Sequence, residues 1–136
     1  MDLKNVMAIS ASGMKAQGVR LKVIAENLAN ANTTAETPGD LPYRRKVVIF
    51  KNELDRALGT DTVRAAKIDV DKSDFQRRYD PTHPSADADG YVLLPNVNSI
   101  IESMDMREAQ RSYEANVSVV EAARTMLSRT IEVLRG

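Results

Sequence analysis

Apolar positions at the two ends of the chain recur with a helical period. Leu3, Met7, Met14, Leu21 and Leu28 form one line in steps of four and three, completed by Ser10, Gln17 and Ile24. Val6, Ile9, Ala16 and Val23 form a second line beside it. A heptad-like stripe of this kind predicts an amphipathic helix over residues 3–30, about 42 Å long at 1.5 Å per residue. The run Asn30-Ala31-Asn32-Thr33-Thr34 stops it, because short polar side chains compete for the backbone's hydrogen bonds. At the other end Tyr113, Val117, Val120, Leu127, Ile131 and Leu134 continue a four/three seam that only Arg124 interrupts, with Asn116, Ala123 and Thr130 alongside. This predicts a second helix over 99–135, about 55 Å long. Asn96, Asn98 and Ser99 are candidate caps, and Ser99-Ile100-Ile101-Glu102 has the spacing of a capping box.

Between the two ends the texture changes. All five prolines (Pro38, Pro42, Pro81, Pro84 and Pro95) fall within residues 31–95, and a proline inside a helix costs about 3 kcal/mol. Long helices are therefore confined to the ends. Tyr43–Phe50, Ala65–Val70 and Tyr91–Leu94 read as short strands, with Asp89-Gly90 a turn just before the third. The fold class expected is mainly α with a small β part. The terminal helices, 1–32 and 96–136, would form one coiled-coil domain, and 33–95 a central loop and β-hairpin region. One antiparallel helical hairpin would bury one seam of each helix and leave the second lines, Val6, Ile9 and Val23 with Asn116, Ala123 and Thr130, exposed. An apolar line left along a long helix marks an interface with another chain. Polymerisation is the reading preferred over a closed helical monomer.

Composition narrows the function. The 136 residues carry 19 Lys+Arg and 19 Asp+Glu, so no basic excess draws in a polyanion, and no nucleic-acid partner is expected. The longest aliphatic or aromatic run, Val47-Val48-Ile49-Phe50, is far short of the roughly 20 residues a membrane span needs. No apolar segment follows Met1-Asp2-Leu3-Lys4, so a cleaved secretory signal is not expected. The absence of cysteine excludes disulfides and thiolate chemistry.

Candidate chemistry is sparse. His83 is the one histidine and lies in Pro81-Thr82-His83-Pro84, with no Gly-x-Ser-x-Gly elbow in the chain, so it is read as a turn residue. Asp87-Ala88-Asp89-Gly90 resembles the middle of a calcium loop, but Ser85 and Asn96 stand where the first and twelfth ligands belong; a turn fits better. No phosphate loop or dinucleotide fingerprint is present. The chain is expected to be no enzyme and to hold no cofactor or metal. Arg44-Arg45-Lys46 and Arg77-Arg78 are the basic clusters, in a centre (40–80) with ten basic and eight acidic residues, against five and eight in 81–136. They serve either to keep a strand's outer face wet or to meet an acidic neighbouring subunit.

Two segments carry a resemblance. Ser10-Ala11-Ser12-Gly13-Met14-Lys15-Ala16-Gln17, followed by Leu21-Lys22-Val23-Ile24-Ala25-Glu26-Asn27-Leu28-Ala29-Asn30-Ala31-Asn32-Thr33, closely resembles the amino-terminal signature of the flagellar rod and hook proteins. Glu108-Ala109-Gln110-Arg111-Ser112-Tyr113-Glu114-Ala115-Asn116-Val117 is similar to the matching carboxy-terminal motif. Pro42–Val48, Tyr79–Pro84, Asp87–Val92 and Pro95–Asn98 are similar to the centre of the family's short members, which lack the large inserted domain of hook and distal-rod relatives. The resemblance implies a structural subunit of the proximal rod, a shaft in the periplasm that transmits torque to hook and filament. It also implies export by the flagellar type III apparatus and terminal helices that pair and pack against neighbours. The implied partners are copies of itself, the rod subunits FlgB, FlgF and FlgG, and the adaptor FliE. The assembly positions expected from the seams and from this family are Met7, Met14, Leu21, Ile24, Asn27, Leu28, Asn30, Asn32, Gln110, Tyr113, Asn116, Val120, Leu127 and Leu134. A discrete homo-oligomeric helical adaptor is the alternative.

Overall fold

A computed structural model describes residues 2–136. Helix α1 spans Leu3–Ala29 and helix α2 spans Ser99–Arg135, within a residue of the lengths the periodicity predicts. Between them come strands β1 (Lys46–Asp55), β2 (Thr60–Val70), β3 (Gln76–Tyr79) and β4 (Tyr91–Leu94), in two two-stranded sheets, β1–β2 and β3–β4. The chain is thus mainly α with a small antiparallel β region. It divides into two compact units, one of residues 2–21, Val48–Lys67 and Arg107–Gly136, the other of Lys22–Val47 and Ile68–Met106.

In the first unit α1 and α2 approach closely and run antiparallel. A Cβ added at Gly13 would lie 2.8 Å from Asn116 Nδ2, and Arg20 pairs with Glu108 at 3.5 Å. Ala16, Ala109 and Ala123 are buried here. The sequence pattern leaves Asn116, Ala123 and Thr130 outside; the structure buries Ala123 and half-buries Asn116, while Thr130 stays exposed. Small residues let two helix backbones come close, as Gly13 does against Asn116, while the bulkier Leu127 and Ile131 stay at the surface. The β1–β2 hairpin also belongs here. Its turn is closed by Gly59 N–H and Leu58 N–H donating to Asp55 O (2.8 and 3.2 Å), and Ala57 N–H donates to Asp55 Oδ1. Gly59, at φ +64°, takes the left-handed position that ends the turn. Both strands run further toward the turn than the predicted segments, Tyr43–Phe50 and Ala65–Val70, and β1 begins at Lys46, not at Tyr43. Lys51–Asp55, mostly charged and amide side chains, has little strand propensity of its own, and the turn at Arg56–Gly59 brings it beside Thr60–Arg64, where Thr60, Thr62 and Val63 favour a strand.

In the second unit β3 pairs antiparallel with β4 in the register Gln76↔Leu94, Arg77↔Leu93, Arg78↔Val92, Tyr79↔Tyr91. Strand β3 carries no signal in the sequence, because Gln76-Arg77-Arg78-Tyr79 has no apolar alternation and all four residues are exposed. Stacking holds it instead: the Tyr79 and Tyr91 rings meet edge-on at 5.4 Å, and the Arg77 guanidinium lies 4.5 Å from the Tyr91 centroid. Gly90 is required in the connecting loop on two counts, its φ of +84° and the Tyr79 ring 2.9 Å from where a Cβ would sit. Val92, Pro95, Val23 and Ile24 form the apolar part of this unit's core.

The start of α2 corrects one expectation. Asn98 is the cap, with its Oδ1 accepting from Ile100 N–H and Ile101 N–H at 3.1 and 3.3 Å. The Ser99–Glu102 capping box does not form, because the Glu102 carboxylate is turned inward to Arg45 and Asn27.

Candidate functional site

Two features stand out, one in each unit. In the second unit Asn27, near the end of α1, is 1% exposed and spends its whole amide on neighbours. Its Oδ1 accepts from Lys46 N–H (2.9 Å) and from the Tyr43 hydroxyl (2.8 Å). Its Nδ2 donates to Lys46 O (2.9 Å) and to Glu102 Oε2 (3.4 Å). Arg45 Nε donates to Glu102 Oε1, Arg45 Nη1 lies 3.3 Å from Asp71 Oδ2, and Arg45 Nη2 lies 3.7 Å from Asp105 Oδ2. Asn96 joins the same region, accepting from Arg45 N–H at 2.7 Å and donating to Asp71 O at 2.9 Å. A carboxylate as buried as Glu102 is stable only when paired and hydrogen-bonded, and Arg45 and Asn27 supply both conditions.

The charges respond accordingly. Burial by itself would lower Arg45, but the hydrogen bond and charge of Glu102, followed by those of Asp71, outweigh it and hold the guanidinium above its ordinary value. Asp71 is held below the usual carboxylate range, first by the Ser73 N–H and hydroxyl, then by Arg45. Tyr43 is raised, chiefly by burial; Lys46 opposes this, and Glu26 and Glu102 add to it.

The basic cluster at 44–46 is engaged by groups of its own chain. Arg45 is spent on the acids of its own chain, and Lys46 Nζ lies 3.2 Å from Glu26. Arg44 donates to Asp71 O and Ser73 O and lies 4.2 Å from the Phe75 ring centroid. His83 ties two loops together. Its Nδ1 accepts from Ser85 N–H at 3.0 Å, so the ring proton sits on Nε2 and points to the Thr34 hydroxyl at 3.1 Å. Asp87 Oδ1 accepts from Asp89 N–H and Tyr91 N–H, both at 2.9 Å, as the turn reading expects.

The second feature is the far end of α2 in the first unit. From Arg124 to Arg135 every residue is exposed, including Leu127 (44%), Ile131 (48%), Val133 (78%) and Leu134 (81%). Helical geometry alone does not keep twelve residues helical in water; such a segment gains most of its stability from burying an apolar face. No helix among the described residues is long and apolar enough to cross a membrane, so lipid does not supply that cover by spanning.

The fourteen expected assembly positions divide between these environments. Leu127, Leu134, Gln110 and Asn32 are exposed. Met7, Met14, Leu21, Leu28, Asn30, Tyr113, Asn116 and Val120 are half-buried, with Asn116 set against Gly13. Ile24 and Asn27 are buried inside the chain's own second unit. Sequence reasoning missed Tyr43, Arg45, Asp71 and Glu102. The available signal was a charged residue directly after the apolar pair Ile100-Ile101, which helical capping explained too easily.

Comparison with known proteins follows the same residues. Residues 7–35 match the family described as Flagella basal body rod protein, and residues 88–133 match the family Flagellar basal body rod FlgEFG protein C-terminal. Over 128 residues the chain is 48% identical to the flagellar basal-body rod protein FlgC of Agrobacterium fabrum, covering 94% of this chain and 92% of that one. It is 40% identical to the protein of the same name from Bacillus subtilis, over 92% and 93% of the two chains. Identity to the Salmonella typhimurium protein is 37%, over 96% and 97%.

Proposed function

The chain belongs to the family of the flagellar basal-body rod protein FlgC, and from that premise we propose how it is built into the rod. It is a structural subunit of the bacterial flagellar basal-body rod, which spans the periplasm and serves motility, and its family is not one of enzymes. In our reading it lies in the proximal rod and transmits torque toward hook and filament. The terminal helices, 1–32 and 96–136, act as the assembly domain through coiled-coil pairing, and 33–95 forms the centre. Contacts are head-to-tail, with further copies of itself, with FlgB, FlgF and FlgG, and with the adaptor FliE. Such open contacts build a filament, where two-fold ones would close. Delivery is by the flagellar type III export apparatus.

One observation carries this reading: the last three turns of α2 are helical and apolar on one side, yet exposed all round. Leu127→Asp tests it. Leu127 is 44% exposed, so the substitution leaves the thermal unfolding of the isolated chain within about 0.5 kcal/mol of the parent. In cells the same change places an unpaired charge in an assembled contact, and rod incorporation and swimming are lost. A swimming strain with the variant in its basal bodies overturns the assignment.

A further inference from the structure

Strand β1 has two edges, and the chain treats them differently. Toward β2, Arg45 O accepts from Asp71 N–H at 2.8 Å, Glu53 O from the Thr62 hydroxyl at 3.1 Å, and Asp55 O from Gly59 N–H at 2.8 Å. Odd-numbered residues of β1 thus turn their main-chain groups to β2, and strand geometry turns those of the even-numbered residues the other way. Lys46 shows this: the Asn27 amide takes its N–H and its C=O together, standing in for a partner strand. Val48, Phe50, Asn52 and Leu54 follow on the same outer edge, and among the described residues no strand pairs with it. On the outer edge of β2, Val63 N–H donates to the Ser12 hydroxyl at 3.2 Å. The β1 edge holds no proline, and Phe50 and Leu54 are exposed along it.

The sequence on this edge reads the same from either end in chemical terms: Phe50-Lys51-Asn52-Glu53-Leu54, apolar, charged, amide, charged, apolar, with the two charges opposite in sign. We propose that the outer edge of β1 pairs antiparallel with the same edge of a second copy, about a two-fold axis at Asn52. Phe50 then faces Leu54, Lys51 faces Glu53 and Asn52 faces Asn52, each unlike pair occurring twice. The even-numbered residues supply the hydrogen-bonded pairs, about six main-chain bonds in all. Lys51 of one copy joins the Glu53–Arg64 ion pair of the other, which is 2.7 Å long. Sliding the pairing by one step of the ladder in either direction sets Lys51 against Lys51 or Glu53 against Glu53, so charge fixes the register. A two-fold contact has no place in a filament whose subunits all point one way. The pair is therefore a form of the subunit outside the rod, one that covers an aggregation-prone edge until incorporation.

The chain has no cysteine, so Asn52→Cys introduces a single thiol. Facing residues of a hydrogen-bonded antiparallel pair have Cα atoms about 5.5 Å apart, within reach of a disulfide. Under mild oxidation the full-length Asn52→Cys protein gives a covalent dimer at least tenfold faster than Asp61→Cys, an exposed position on the other strand of the hairpin. By analytical ultracentrifugation, Lys51→Glu and Glu53→Lys each weaken the non-covalent dimer about tenfold. Mixed in equal amounts, the two variants recover it. One variant then carries carboxylates at both charged positions of the edge and the other carries ammonium groups at both, so every facing pair is again opposite in sign. Circular dichroism checks that each variant is folded. Equal oxidation rates at 52 and 61, or a dimer indifferent to Lys51→Glu, or a mixture no tighter than its components, overturns the proposal. Any of these leaves the rod reading standing, since that is judged by Leu127→Asp in cells.

Discussion

Asn27 shows how much one amide can hold. Four contacts converge on it, from Lys46 N–H, Lys46 O, Tyr43 and Glu102, and it is 1% exposed. Asn27→Ala strands the Lys46 main-chain groups and removes one of the partners of the buried Glu102. Stability should fall by roughly 1–3 kcal/mol, measured by denaturant unfolding, because orphaned buried groups cost their full desolvation. An alanine variant as stable as the parent would mean that water replaces the amide at no cost. In sequence this residue is legible as special, standing in the Asn-rich end of a signature motif, but as a position for neighbours. Its actual partners lie 16 to 75 residues away, and nothing in local spacing points to them.

Among the elements, α2 is two things in one helix. Ser99–Ala123 has buried positions at Glu102, Ala109 and Ala123, whereas residues 124–135 have none. Helical propensity holds an uncovered segment only weakly, with fraying from the free end inward. Hydrogen exchange on dilute protein should therefore find amides beyond about Arg124 exchanging orders of magnitude faster than those near Ala109, and protected once subunits associate. Uniform protection in the monomer would show that the end of the helix needs no partner. The period of this helix is readable because 3.6-residue repetition survives any context. Which of its lines faces inward is not readable, because the buried Ala109 and Ala123 are only weakly apolar. They win the interior through the close backbone approach they permit, which arises only when a second helix is alongside.

For the protein as a unit, stability should depend on pH at both extremes through the second unit's polar cluster. Asp71 is held below its usual value, near 3.9, so its contribution is present above about pH 4 and is lost as pH falls through the lower folded value. Tyr43 is raised above its usual value of about 10, so its contribution is present below about pH 10 and is lost as pH rises through the higher folded value. Thermal melts across pH should show both limbs. Asp71→Asn should flatten the acid limb and Tyr43→Phe the alkaline one; a variant that leaves its limb unchanged would show that the group does not carry it.

Periodicity, proline placement and signature motifs are properties of neighbouring residues. The order of residues was therefore enough to settle where the long helices run, where the chain must turn, and that it is a rod-family subunit. Folding in three dimensions was needed to decide that Glu102 points into the chain, that Arg45 is consumed by the chain's own acids, that Gln76–Tyr79 is a strand, and which helix lines pack together. Each of these depends on a partner distant in sequence, and a side chain's choice between water, its own backbone and a remote group is settled only when the remote group arrives.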